Sequence, residues 1–310
     1  MALRQIDYVS KARGAMPASV ALLARREAME RDALAPPPGV VIRREPAGPG
    51  RAEWVEPASE CGAATVLFLH GSGYSKGSPA THRELVARIA LAAQTHAFVP
   101  DYRLTPEHPF PAALLDALQA YRFVLERTAP NQLIVVGDSA GGGLALALLL
   151  AARDCDMPMP AGVVTLSAWT DLAVTGPSTR PGAVDDPIVT GDMLRDAADL
   201  YLGGADPRSP YASPLYGDLS KLPPLLMQVG GREVMIDDTH RLAESARAAG
   251  VDVTVDVYEA MSHVFQWRAS THPERDNAVA RIAAFIKERT EAGSGSGRLR
   301  TSGQGTSGRT

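Results

Sequence analysis

A serine set between glycines is the side chain best placed to carry covalent chemistry in this chain of 310 residues. The pattern Gly-x-Ser-x-Gly occurs at residues 73–77 and again at residues 137–141. Only the second copy follows an apolar run that predicts a strand, residues 133–136, and opens a run that predicts an amphipathic helix. Small glycines would let the backbone bend sharply and hold the Ser139 hydroxyl clear of the sheet, beside a helix N-terminus that favours negative charge. Ser139 is therefore predicted to be a nucleophile; the alternative is a tight glycine-rich turn that merely contains a serine.

A serine hydroxyl becomes a useful nucleophile only when a base takes its proton. His263 follows the last predicted strand, residues 253–258, after a short loop, and so belongs to the edge where open α/β sheets bind ligands. His263 is the predicted base. The other histidines are expected to occupy surface or helix-capping positions or, for His70, to shape a turn; they are His70, His82, His96, His108, His240 and His272.

Such a base needs a carboxylate to orient it. Glu233 is the first acidic residue after the predicted strand at residues 225–229, and Asp237 is the second candidate. The alternative is that Glu233 pairs with Arg232 or another neighbour, while Asp237 or Asp238 caps the next helix. The resulting order of nucleophile, acid and base along the chain is that of α/β-hydrolases.

Acyl transfer also needs hydrogen-bond donors for the oxyanion. The predicted strand at residues 65–69 runs into the turn His-Gly-Ser-Gly-Tyr at residues 70–74, whose backbone N–H groups can face a ligand. This turn is predicted to supply an oxyanion donor. A phosphate-binding loop is the alternative, but Lys76 stands where the third glycine of Gly-x-Gly-x-x-Gly belongs, and the sequence has no Gly-x-x-x-x-Gly-Lys-Ser/Thr.

The elements that must position these residues follow from the apolar pattern. Short runs rich in Val, Ile and Leu, nearly continuous rather than alternating, are typical of strands buried on both faces of a parallel sheet. Helical patterns separate these runs, which predicts an α/β fold with a mostly parallel central sheet and helices on both faces. The predicted strands are residues 65–69, 97–99, 133–136, 163–166, 225–229 and 253–258. The predicted helices are residues 81–93, 111–126, 141–153, 192–202, 238–249 and 274–291.

Two regions interrupt this alternation. Residues 1–45 carry an alanine-rich helical stretch that prolines end, and they are predicted to form an appended helical element. Residues 170–215, rich in Pro, Gly and Asp, are predicted to be a cap or binding insertion within a catalytic domain at residues 46–292. The Gly/Ser-rich tail, residues 293–310, is predicted to be disordered.

The composition narrows the classes of function. Charged residues make up 21% and hydrophobic residues 45% of the chain, which is typical of a folded soluble protein. A formal charge of −4 gives no reason to expect nucleic acid as a partner, and the longest apolar run is too short for a membrane span. The two cysteines lack metal-site spacing and the N-terminus lacks an apolar signal core, so a cytoplasmic location is expected.

Four sequence blocks together resemble the bacterial esterases of the hormone-sensitive lipase family, in the branch with a Gly-Asp-Ser-Ala-Gly-Gly nucleophile motif. The blocks are residues 68–74, 101–113, 137–142 and 261–265. The resemblance implies an α/β-hydrolase fold with a helical cap, to which residues 1–45 and part of the 170–215 insertion contribute. It further implies a carboxylic ester hydrolase that acts on a small-molecule ester, needs no metal or organic cofactor and forms a homodimer.

The family's roles then fall on particular residues. Ser139 matches the nucleophile and His263 the base, while the backbone N–H groups of Gly71, Ser72 and Ala140 match the oxyanion hole. Ser72 stands where the family usually has glycine, which is harmless if only its N–H is used.

The acidic member also departs from the family's pattern. Glu233 stands where aspartate is commoner, and its extra methylene moves the carboxylate by one C–C bond, so Asp237 stays a candidate. The hypothesis is a serine carboxylesterase that hydrolyses short- to medium-chain acyl esters through an acyl-enzyme. One alternative is a lactone or amide hydrolase with the same triad. The other is a catalytically silent receptor, but the retention of Ser139 and His263 argues against a receptor.

Overall fold

The computed structural model of the protein describes residues 15–46, 51–267 and 272–295, with side chains up to residue 291. An eight-stranded sheet lies at its centre, in the order β1-β2-β4-β3-β5-β6-β7-β8. The strands are β1 Val40–Glu45, β2 Ala52–Pro57, β3 Thr65–Leu69, β4 His96–Pro100, β5 Leu133–Asp138, β6 Gly162–Leu166, β7 Leu225–Gly230 and β8 Val253–Tyr258.

The described residues contain seven α-helices. They are α1 Val20–Arg31, α2 Pro79–Ala93, α3 Ala112–Leu125, α4 Ala140–Asp154, α5 Gly191–Leu202, α6 Ile236–Ala248 and α7 Pro273–Gly295. The predicted alternation of strands and helices from residue 65 onward is confirmed, with helix ends that differ from the predicted ones by at most four residues.

Helices cover both faces of the sheet. Leu67 and Leu69 of β3 belong to a core that they share with α3, α4 and α6, whereas Val66 and Phe68 belong to a second core shared with α2 and α7. Successive side chains of a strand point to opposite faces, so a strand buried on both sides must be apolar throughout. The predicted fold class, a mostly parallel sheet with helices on both faces, is confirmed.

Parallel pairing brings the site-bearing turns to one edge of the sheet. Leu69 at the end of β3 lies opposite Gly137 of β5, and Asp138 lies opposite Leu166 of β6. The turns that follow these strands therefore meet at the carboxyl edge, where α/β sheets bind ligands.

The sequence pattern did not indicate β1 and β2. Both pair antiparallel, β1 with β2 and β2 with β4, and β1 is a half-exposed edge strand that carries Arg43 and Arg44. Charges on an edge strand protect it from pairing with other chains, and they also remove the continuous apolar signal. Residues 1–45, predicted as a helical element, thus contribute a sheet strand as well as α1.

Helix α1 is attached to the body of the protein mainly by polar contacts. Ser19 accepts a hydrogen bond from the Leu22 N–H and caps its first turn. Arg26 donates two hydrogen bonds to Glu107, at 2.6 and 2.8 Å, and a third to the carbonyl oxygen of Ser75. This helix therefore sits over the loop that follows β3.

The C-terminal helix and the remaining tail complete the chain. Helix α7 continues to Gly295, so the first three residues of the predicted disordered tail are helical, and residues 296–310 lie outside the described residues. None of the helices in the described part of the chain is both long and apolar enough to cross a membrane.

Candidate active site

Ser139 lies on a sharp turn between β5 and α4. Its φ of 51° is in the left-handed region, which a non-glycine residue adopts only where the surroundings hold it there. A Cβ atom on Gly137 would lie 2.2 Å from the carbonyl oxygen of Gly141, and one on Gly141 would lie 2.0 Å from that of Leu69. Glycine is thus required on both sides of Ser139, as the sequence motif indicated.

The structure brings the three predicted triad side chains together. His263 Nε2 lies 2.9 Å from Ser139 Oγ, and His263 Nδ1 lies 3.2 Å from Glu233 Oε2. All three residues are buried, with Ser139 8%, His263 7% and Glu233 0% exposed. An Nδ1–H that donates to the carboxylate leaves Nε2 free to accept the serine proton. The arrangement can therefore deprotonate the Ser139 hydroxyl.

Close approach of two loops places the acid beside the base. A Cβ on Gly230, the last residue of β7, would lie 2.4 Å from the carbonyl oxygen of Met261, and the Arg232 N–H donates to the same carbonyl at 3.1 Å. The loop that carries Glu233 is thereby held against the loop that carries His263. The glycine pair at the end of β7, Gly230 and Gly231, permits this contact.

The structure separates Glu233 from the alternatives that the sequence left open. Asp237 Oδ2 accepts a hydrogen bond from the backbone N–H of Ser178 at 2.5 Å, so this carboxylate holds the segment at residues 170–215. Arg232 pairs with Asp185, so it is not the partner of Glu233. Of the two candidate acids, Glu233 is the one that contacts His263.

A residue that the sequence did not single out helps to hold the base. Ser167 directly follows β6, is fully buried, and its hydroxyl accepts a hydrogen bond from the N–H of Val264 at 3.0 Å. Val264 is the neighbour of His263, so this contact fixes the backbone of the base. The only sequence signal was a serine at the carboxyl end of a predicted strand.

The predicted oxyanion turn has one donor already engaged. The Gly71 N–H donates to Asp138 Oδ1 at 2.9 Å, which corrects its assignment as an oxyanion donor, because an N–H bound to a carboxylate is not free for a substrate oxygen. Ser72 and Gly73, with φ of 81° and 65°, line the cavity that contains Ser139. Ala140 opens α4, where backbone N–H groups have no partner within the helix.

The carboxylate of Asp138 connects the nucleophile turn to a second histidine. Its Oδ2 lies 3.4 Å from Nε2 of His82, whose Nδ1 lies 2.8 Å from Thr81 Oγ1. His82 is 0% exposed and stacks on Trp267 at a ring-centroid distance of 5.0 Å. The prediction of a surface or capping role for His82 is therefore wrong. The tertiary structure packs α2 against the turn that carries Asp138 and Ser139, and this packing buries His82.

Within the described ranges, no other histidine side chain hydrogen-bonds to Ser139. His70 is buried and stacks on Tyr102, and burial together with neighbouring His82 lowers the pKa of His70 to about 3, so its imidazole is neutral. His96 is half-buried and its Nε2 lies 3.1 Å from Cys61 Sγ. The exposed histidines are His108, His240 and His272.

A cavity of about 340 Å³ opens onto Ser139 and His263. Its walls are mainly apolar, and much of them comes from the predicted insertion at residues 170–215. The contributing insertion residues are Ile188, Val189, Met193, Leu194 and Ala197. An apolar cavity with a few convergent polar groups is typical of a small-molecule site. Within the described ranges, no cluster of three potential metal-ligating side chains occurs.

Comparison with known proteins extends these observations. A family model described as "alpha/beta hydrolase fold" matches residues 66–267. The chain is 44% identical over 258 residues to an acetyl-hydrolase of Streptomyces hygroscopicus, covering 83% of this chain and 85% of that protein. It is 36% identical over 230 residues to an esterase of Acinetobacter venetianus, covering 73% and 76%. A crystal structure of an esterase from the bacterial hormone-sensitive lipase family superposes with a TM-score of 0.84 at 39% identity, covering 93% of this chain and 97% of the other.

Proposed function

Since this chain belongs to the α/β-hydrolase fold family, in its bacterial hormone-sensitive lipase branch, and is a carboxylic ester hydrolase, we propose that it acts through a Ser139, His263, Glu233 triad and an acyl-enzyme intermediate. The observation that carries the proposal is the pair of contacts of His263, 2.9 Å to Ser139 Oγ and 3.2 Å to Glu233 Oε2. This is the hydrogen-bonded sequence that activates a serine nucleophile.

Acylation starts at the ester carbonyl carbon. Ser139 Oγ bonds to this carbon while His263 Nε2 takes the hydroxyl proton, and the carbonyl oxygen gains the negative charge. The imidazolium then gives its proton to the leaving alcohol as the ester C–O bond breaks. Glu233 stays ionised throughout and stabilises the imidazolium, which forms 3.2 Å from its carboxylate.

Deacylation repeats the same proton transfers with water. His263 takes a proton from a water molecule that attacks the acyl carbon, and the proton passes to Ser139 Oγ when the acyl–oxygen bond breaks. The products are the carboxylic acid and the free enzyme. The proposed reaction requires no metal or organic cofactor.

The oxyanion is proposed to accept hydrogen bonds from backbone N–H groups of Ser72, Gly73 and Ala140. Ser72 and Gly73 line the cavity beside Ser139, whereas the N–H of Gly71 donates to Asp138 instead. The Gly71 contact gives the turn a fixed orientation, because the carboxylate it binds belongs to the residue that precedes the nucleophile. Such fixed donors stabilise the charge that develops on the substrate oxygen.

The proposed substrates carry short to medium acyl chains. The cavity of about 340 Å³ is near the lower end of the range for small-molecule sites, and its walls are apolar. The relative named acetyl-hydrolase adds support for a small acyl group. A homodimer remains a prediction, which light scattering after size-exclusion chromatography would measure.

The test is a pre-steady-state assay with p-nitrophenyl esters of increasing chain length, from acetate to decanoate. We expect a burst of p-nitrophenolate close to one equivalent of enzyme and the highest kcat/KM with short to medium chains. Ser139→Ala should abolish the burst. A burst that persists in Ser139→Ala would refute the assignment of the nucleophile.

A matched control comes from the other Gly-x-Ser-x-Gly copy. Ser75→Ala should keep the burst, because Ser75 contacts Arg26 through its backbone carbonyl. A lactone and an acetanilide in the substrate panel separate ester from lactone or amide hydrolysis. Covalent labelling of Ser139 by a fluorophosphonate, detected by mass spectrometry, distinguishes an enzyme from a silent receptor, which would stay unlabelled.

A further inference from the structure

Lys76, in the Gly-x-Ser-x-Gly copy that does not hold the nucleophile, is a half-buried cation for which the described side chains supply no counter-ion. Across the parts of the chain whose side chains are described, no carboxylate lies within ion-pairing distance of its ammonium group. Its charged neighbours are Arg25 and Arg26, and burial together with these two cations lowers the pKa of Lys76. Arg26 is neutralised by Glu107, so Arg25 and Lys76 remain without an ion-pair partner among the side chains that the structure describes.

Lys76 lies between two cavities. It lines the catalytic cavity of about 340 Å³ that contains Ser139, and it also lines a cavity of about 690 Å³ beneath α1. Met29 and Trp267 line both cavities as well. A substrate that extends from the catalytic cavity toward α1 would therefore reach the boundary that Lys76 shares with Met29 and Trp267.

The backbone on each side of Lys76 is held in place. The carbonyl oxygen of Ser75 accepts a hydrogen bond from Arg26 Nε at 2.8 Å. On the other side, Gly77 adopts a φ of 87°, and a Cβ there would lie 2.7 Å from His70 Nδ1 and 2.8 Å from the carbonyl oxygen of Gly71. Lys76 is thus anchored to the same turn that lies beside the nucleophile.

The other charged groups near these cavities have partners. In the catalytic cavity, Asp138 accepts the Gly71 N–H. In the larger cavity, Glu84 pairs with Arg275 and Asp32 with Arg31.

The remaining lining of the catalytic cavity is mostly apolar. Among the described residues, the catalytic cavity therefore offers a substrate one unneutralised cation, Lys76, in mostly apolar walls.

Resting on the proposed function, we propose that Lys76 binds a carboxylate carried by the substrate. The preferred substrates are then esters with a negatively charged group at the end away from the scissile bond. Lys76 is half-buried beside the exposed Arg25, and these like charges repel each other. A carboxylate bound there would neutralise Lys76 and reduce its repulsion with Arg25, while it accepts charge-assisted hydrogen bonds from the ammonium. The bound anion acts only in recognition, and the bond-breaking steps stay with Ser139 and His263.

The carboxylate could belong to the acid or to the alcohol part of the ester, and two substrate arms distinguish these sources. The acid arm compares the monomethyl esters of succinic, glutaric, adipic and suberic acids with methyl esters of monocarboxylic acids of matched length. The alcohol arm compares acetoxypropionate and acetoxybutyrate with propyl and butyl acetate. Acid release is followed by pH-stat titration, which needs no chromophore.

The measured quantity is the ratio of kcat/KM for an anionic ester to that for its neutral match. We expect Lys76→Met to lower this ratio about tenfold in one of the two arms, as for the loss of a charge-assisted hydrogen bond, and Lys76→Arg to keep most of it. Lys287→Met is the matched control, because it removes an exposed lysine on α7 with the same change in net charge. This control should leave the ratio unchanged.

Salt dependence gives a second measurement on the unmodified enzyme. Raising the ionic strength from about 20 mM to about 500 mM should lower the ratio, because salt screens the attraction between the carboxylate and Lys76. A ratio that is the same in the unmodified enzyme and in Lys76→Met in both arms would overturn the anion site. An enzyme that hydrolyses neither anionic nor neutral esters would instead overturn the proposed function.

Discussion

Replacing Glu233 by Gln tests whether the carboxylate stabilises the imidazolium of the triad. The side chain keeps nearly the same shape but loses its charge, 3.2 Å from His263 Nδ1. Two unit charges at that distance attract by about 5 kcal/mol when the effective dielectric constant is about 20. Since each 1.36 kcal/mol corresponds to about tenfold in rate, the upper limit of the loss is about 10⁴-fold in kcat/KM.

The assay is steady-state hydrolysis of p-nitrophenyl acetate, with thermal unfolding recorded for each variant to establish that it is folded. Glu233→Asp separates charge from position, because it keeps the carboxylate but withdraws it by one C–C bond. We expect its loss of activity to be smaller than that of Glu233→Gln. Asp237→Asn is the matched control, since Asp237 contacts the Ser178 N–H and not His263.

The reasoning fails if Glu233→Gln keeps more than about a tenth of the kcat/KM of the unmodified enzyme while it remains folded. A tenfold loss corresponds to 1.4 kcal/mol, far below the interaction worked out from the 3.2 Å contact. A larger loss in Asp237→Asn than in Glu233→Gln would move the assignment to Asp237.

Two further predictions concern stability. Ser167→Ala should lower the free energy of unfolding by about 1–3 kcal/mol, because the buried Val264 N–H loses its acceptor, and urea denaturation measures this loss. Burial raises the pKa of Asp238 to about 7 even though it accepts the N–H groups of Thr170 and Asp171, so folding favours its protonated form. Its contribution to stability is therefore complete below about pH 4 and is lost as the pH rises through about 7. Asp238→Asn should flatten the dependence of unfolding free energy on pH in that window, and an unchanged slope would contradict the argument.

The sequence predicted the fold class and the family, and both are confirmed. The strands β3 to β7 were visible because a strand covered on both faces must be apolar throughout. The half-buried edge strand β8 was visible through its alternating valines, Val253, Val255 and Val257. Strands β1 and β2 were not. The half-exposed edge strand β1 carries charged residues, and the inner strand β2 contains Glu53, which is buried and pairs with Arg83.

The local geometry of the nucleophile was also contained in the sequence. Gly137 and Gly141 are needed because any Cβ there would collide with neighbouring backbone, and this requirement is visible as a motif. The position of His263 after the last strand of the sheet predicted the edge at which it lies. Their catalytic roles stay predictions until the variants are measured.

Other features depended on the tertiary structure alone. Glu233 and Asp237 both follow β7, and only the packing of that loop against Met261 decides which of them contacts His263. Likewise, His82 is distant in sequence from Asp138, and only the placement of α2 brings the two within 3.4 Å. A sequence motif records the constraints that act between near neighbours along the chain, whereas the partner of a buried charge is set by which distant segments the fold brings into contact.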